Sequence, residues 1–178
     1  TRVLLEDRVE LPRLYLAWLT PAMFADDDAE LDLATDLLAN GKTSRLYRRL
    51  VYERRAATDV SAAQNSREAG GFLQIAATAS PGHTLAELER IVVDEIAALA
   101  AEGPTDDEID RGRIQAEAQF VYRLQTVGGF GGKADQLNAY NVFLRDPGFF
   151  DRDLRRYQAV SRESLRAAVG RYLRHDNR

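Results

Sequence analysis

The stretch from Leu37 to Ser61, LLANGKTSRLYRRLVYERRAATDVS, constrains the fold more than any other. It holds the end of one helix, a short turn, the start of a second helix and the approach to a strand. Asn40-Gly41 closes the first helix in the way that left-handed backbone usually does. Thr43 or Ser44 then caps the second. In that second helix Leu46, Tyr47, Leu50 and Val51 recur at three- and four-residue spacings, while Arg45, Arg48, Arg49 and Arg54 fall largely on the opposite side. The pattern predicts an amphipathic helix with one face on a sheet and a basic face outward.

The remaining elements can be placed around that unit. Arg2–Glu6 (RVLLE) and Val9–Thr20 (VELPRLYLAWLT) read as two strands about an Asp7-Arg8 turn, with Pro12 at the edge or start of the second. Leu14, Leu16 and Trp18 alternate with Tyr15, Ala17 and Leu19, so the second strand is expected to be buried on both faces. Asp26–Leu38 opens a helix on acidic residues that suit its N-terminal dipole. Three adjacent aspartates cannot all face one ion, so Asp26-Asp27-Asp28 is a helix start and not a metal site. Ala57–Asn65 and Gly71–Ser80 form an antiparallel pair. Thr84…Glu87 and Thr105…Glu108 are capping-box patterns that open two long helices. Further helices are expected at about Gly132–Phe143, Pro147–Ala159 and Ser161–Arg174. The order predicts an α+β domain of two layers, a mainly antiparallel sheet with helices on one face.

Composition narrows the function. A chain of 178 residues, 45% apolar, can bury one good core, so residues 1–178 are expected to be a single domain. A net charge of -4 offers no field to gather nucleic acid, and no apolar run is long enough to span a membrane. With no Cys, neither a disulfide frame nor a cysteine nucleophile is possible, and bacterial cytoplasm and periplasm fit equally well. Gly128–Gly132 follows a helix and lacks the Lys-Ser/Thr of a phosphate loop, so it reads as a helix-helix corner. His83 and His175 stand far apart without a matching carboxylate motif, and there is no Gly-x-Ser-x-Gly elbow. The residues by themselves assemble no catalytic or metal site.

The order small-Gly-x-x-Ser-Arg-Leu-aromatic-x-x-Leu, a basic cluster and then a strand resembles the second, non-catalytic domain of the pitrilysin/insulinase zinc metallopeptidases. Mitochondrial processing peptidase and the core subunits of the respiratory bc1 complex belong to that family. Gly41, Ser44, Arg45, Leu46, Tyr47 and Leu50 carry the match, and Leu124–Tyr140 resembles the downstream part of the same domain. The resemblance covers nearly the whole chain.

It implies paired α+β domains that close as a clamshell around an extended peptide, with the zinc in a homologous partner domain that bears HxxEH. No such motif occurs here, so the resemblance implies no cofactor in this chain. In the active family an Arg and a Tyr, seven residues apart, hold the substrate carbonyl, and the positions that match them are Val51 and Thr58. Neither side chain supplies a cation or a phenol. Tyr52 and Arg55 lie close enough that a one-residue slip would restore part of the site. These four are the substrate-proximal candidates.

The favoured expectation is a non-catalytic wall of a peptidase chamber. The alternative is a scaffold subunit like the bc1 core proteins, with no proteolysis in its assembly. Thr1 opens without an initiator Met and the sequence stops at Asp176-Asn177-Arg178, where the family continues into a closing strand. An excised fragment lacking that strand is therefore expected, and with it a tendency to self-associate.

Overall fold

A computed structural model describes residues 1–178. Three strands, β1 (Arg13–Thr20), β2 (Ala57–Ser66) and β3 (Gly71–Ala79), form one antiparallel sheet in the order β1-β3-β2. Six α-helices accompany it: α1 (Asp28–Ala39), α2 (Leu85–Glu102), α3 (Asp106–Gln125), α4 (Lys133–Leu144), α5 (Phe150–Ala159) and α6 (Arg162–Tyr172). A π-helical segment, Tyr47–Glu53, precedes β2. This is the α+β architecture that the order of elements predicts. No helix is long and apolar enough to cross a membrane.

The register explains the layering. Leu16 and Ala62 flank Ile75, Trp18 and Gln64 flank Leu73, and Thr20 and Ser66 flank Gly71, so these rows share one face of the sheet. That face meets α1, α2 and α6, and Leu16, Trp18, Leu73 and Ile75 join Leu31, Leu38, Leu88 and Leu165 in one core. Both N-caps form where the sequence places them, but only the second is a full capping box, because the Glu87 side chain turns to His83 instead of the Thr84 backbone. Thr84 accepts from the Glu87 amide, and Thr105 and Glu108 exchange both bonds. Gly112 lets α3 approach α1, because a Cβ there would sit 3.3 Å from Leu37.

Three expectations are corrected. Arg2–Glu6 forms no strand, since residues 1–12 are irregular and Val3, Leu4 and Leu5 stay exposed. A strand needs a neighbour for its backbone, and β propensity alone supplies none. Second, β1 is covered on one face only: Tyr15 and Leu19 are 59% and 70% exposed, because every packed helix lies on the opposite side. Alternating apolar residues show that both faces are apolar but not that both are covered. Third, the helix after Ser44 is largely π-helical. The wider turn still buries Leu46 and Leu50, so the amphipathic pattern survives a change of hydrogen bonding that spacing cannot detect.

Candidate functional site

Gly41, Ser44, Arg45 and Leu46 build a structural joint. Gly41 has φ +78, left-handed backbone that closes α1, and the buried Ser44 hydroxyl donates to the Gly41 carbonyl at 2.7 Å. Leu46 is fully buried. Arg45 reaches across to the α2-α3 corner and donates twice to Glu108, at 2.7 and 2.6 Å. Burial pushes the Glu108 carboxyl up, but hydrogen bonds from Arg45 and the Thr105 backbone outweigh it and hold it below the usual range. The Arg of the Ser-Arg-Leu pattern thus secures the cap of α3.

The four substrate-proximal candidates lie along the end of the π-helix and the start of β2 without converging on a cavity. Val51 packs against the core. Tyr52 is exposed, and Arg55 is exposed with left-handed backbone, φ 53. Thr58 is the extra residue of a bulge between Ala57 and Asp59, its hydroxyl 3.4 Å from the Thr78 carbonyl. No group of three His, Cys, Asp or Glu side chains is arranged to hold a metal ion. His83 pairs with Glu87 at 2.9 Å, and His175 lies in a terminal 3-10 turn.

The concave part of the molecule lies elsewhere, beside β2. This strand is at the sheet edge, and its outer side carries no paired strand. Two adjoining cavities of about 450 and about 360 Å3 run along it between α1, α3, α4 and α5. Ala62 and Ala63 line the first, Asn65 and Ser66 the second, and Asp32, Gln64, Arg123 and Tyr157 line both.

A buried polar network forms the floor. Asp28 accepts from the Phe24 amide (2.8 Å), the Ser66 hydroxyl (2.5 Å) and Arg156 (3.3 Å). Asp153 accepts from Arg156 and from the Tyr140 hydroxyl, both at 2.8 Å. Arg156, which burial would weaken, is kept charged by Asp153 and Asp28. Asp32 accepts from Tyr157 at 2.5 Å. Burial raises the Asp32 carboxyl to about 7, against the lowering effect of the Tyr157 hydrogen bond. Burial also raises Asp36 and Asp153. Gln64 donates to Thr20 (3.1 Å) over the bare backbone of Gly71, where a Cβ would sit 2.8 Å from the Thr20 hydroxyl.

Sequence reasoning missed this site. It reads Asp28 as a helix start, whereas its side chain is buried and serves Ser66 and Arg156. Asp32 and Asp36 sit one turn apart in a helix rich in acids, and Tyr140, Asp153 and Tyr157 come from helices far along the chain. Polar residues at core-facing helical positions were the available signal.

Comparison with known proteins bears on the family. A family profile described as Peptidase M16 inactive domain matches residues 1–116. The chain belongs to that family. No curated protein matches it. Among solved structures, 97% of this M16 inactive domain superposes on a protease from Helicobacter pylori, with a TM-score of 0.85 and 21% identity, covering 41% of that chain. An inactive peptidase domain from Bordetella parapertussis matches over 98% of this chain and 93% of its own, with a TM-score of 0.80 and 21% identity. A chain of Complex III2 from Candida albicans matches at a TM-score of 0.77 and 11% identity, over 94% of this chain and 41% of that one. At such identities the likeness is one of fold. This chain spans about two fifths of the Helicobacter protein.

Proposed function

We propose that this M16 inactive domain forms part of the wall of a clamshell peptidase chamber and holds an extended peptide along the outer edge of β2. A homologous partner domain would supply the zinc and perform the cleavage. The observation that carries the reading is the unpaired edge of β2 running beside two continuous cavities. An extended peptide can add to such an edge through backbone hydrogen bonds, with alternate side chains entering the cavities. The joint built by Arg45 and Glu108 and the core-packed Val51 give the wall rigidity and bring no charge toward a reacting carbonyl.

The test compares the domain with its partner. The domain alone should bind unstructured peptides without cleaving them and should retain no stoichiometric zinc after dialysis. Cleavage should appear only when an HxxEH-bearing domain is present. About one tightly held zinc per chain, lost on His83→Ala or His175→Ala, would refute the assignment. The scaffold alternative predicts that no peptide binds and that neither the parent protein nor its assembly cleaves any.

A further inference from the structure

We propose that Phe130 is an anchor that enters the apolar pocket between β1, α2 and α6 of a second copy of this chain, joining copies head to tail. Each copy carries one such anchor and one such pocket.

The anchor stands on the corner between α3 and α4. Phe130 is fully exposed, and Val127 beside it is 74% exposed. The corner is nonetheless closed at its base. The Lys133 amide donates to the Thr126 carbonyl at 2.8 Å, the Ala134 amide to the Val127 carbonyl at 3.0 Å, and the Gly131 amide to the Asp135 carboxylate at 2.9 Å. Gly129 and Gly131 take left-handed backbone, φ 81 and 75, which turns the chain on either side of the ring. Phe130 is therefore presented by a short, bonded turn, and little further ordering is needed for it to dock. A ring held out in water in this way gains its apolar surface on entering a cavity.

The pocket matches that ring in kind and size. It has a volume of about 240 Å3, and Trp18, Ile96, Ala97, Ala100, Val169 and Leu173 wall it. An apolar cavity of about 150 Å3 already takes up benzene. The Trp18 indole N–H is satisfied by the Arg174 carbonyl at 3.1 Å, so it asks for no polar guest. Gly170 on α6 leaves the wall open, since a Cβ there would meet nothing within 4 Å. Arg174 stands at the rim, more than half exposed and paired only with Asp176 at 3.4 Å. A guanidinium in that place favours an entering aromatic ring over an aliphatic side chain.

Anchor and pocket cannot meet within one chain. The α3-α4 corner borders the cavity beside β2, where Gly131 is part of the lining, whereas the pocket opens beside β1, and β3 lies between the two strands. A contact between two different surfaces is heterologous, so a joined pair still has one free anchor and one free pocket. One aromatic anchor falls short of the roughly 800 Å2 per partner of a standard stable interface, so the contact is weak and driven by concentration.

Trp18 is the only tryptophan, and its emission reports on the pocket itself. In the unaltered protein that emission should shift as the concentration rises to the millimolar range. Phe130→Ala, which removes the anchor, and Gly170→Leu, which fills the pocket from its own wall, should each abolish the shift. Ala97→Phe, at an exposed position of the same pocket, takes the place of Gly170→Leu if that variant does not fold. Mixing the anchor-less and the plugged variants should restore the shift and saturate at one to one, because only the first has an open pocket and only the second an anchor. A shift that persists in either variant, a silent mixture, or a native protein whose emission ignores concentration overturns the proposal.

Discussion

Replacing Asp32 by asparagine should make the domain more stable at neutral pH, and the size of the gain follows from the cavity floor. The Asp32 carboxyl rises from an ordinary 3.8 to about 7 because burial disfavours its charge more than Tyr157 favours it. Below about pH 4 folded and unfolded chains both hold the proton, and Asp32 costs nothing. Between about pH 4 and 7 the unfolded chain gives up its proton first, so stability falls by up to about 1.4 kcal/mol for each pH unit. Above 7 both states are ionised and the penalty is constant, at most about 4 kcal/mol. Because Asp32 is only half-buried, about 2 kcal/mol is the expected working value. Asparagine keeps an acceptor for Tyr157 and has no charge to desolvate. Urea unfolding at pH 5, 6, 7 and 8 gives the difference between the two proteins, and taking that difference cancels the similar but unchanged contributions of Asp36 and Asp153. The variant should gain on the native protein across this range and level off above 7. A difference that is flat with pH, or a variant less stable at pH 8, would refute the reasoning.

Arg45→Ala should destabilise the fold by about 2–3 kcal/mol, because it strands a largely enclosed Glu108 and loosens the α3 cap, and Arg45→Lys should recover only part of this since it cannot donate as a fork. Gly71→Ala should cost about 2 kcal/mol or more through its contacts with Thr20 and Asn65, read as a lowered unfolding midpoint. Assembled with a zinc-bearing partner domain as proposed, Val51→Ala and Thr58→Val should leave turnover nearly intact and cost about 1 kcal/mol of stability. A hundredfold fall in turnover for Tyr52→Phe or Arg55→Ala at unchanged unfolding midpoint would move this domain into the chemistry. Open edges at β1 and β2, together with the exposed Tyr15, Leu19 and Phe72, should promote self-association, and sedimentation showing a strict monomer at high concentration would count against it.

The contrast between what the sequence reveals and what it hides has a physical basis. Thr105…Glu108 and Asn40-Gly41 act through neighbours a few residues away, so their caps and turns can be read directly, and the Ser-Arg-Leu order carries the family. The partner of Arg45, by contrast, lies 63 residues along the chain, at Glu108. Asp28 joins Ser66 across 38 residues, and Asp32 joins Tyr157 across 125. Such pairings depend on how α1, α3, α5 and β2 come together, which no local pattern encodes. Val3, Leu4 and Leu5 fail in the opposite sense, since a strong strand propensity there meets no partner strand.

Hydrogen exchange along β2 tests the central claim most directly. Its outer edge carries no paired strand, so backbone amides on that side from Ser61 to Ser66 should exchange readily in the free domain. On saturation with an extended peptide they should become protected, while the amides of the open-faced strand β1 should not change. Protection elsewhere with β2 unaffected would contradict the account, placing the peptide off the edge that the fold offers it.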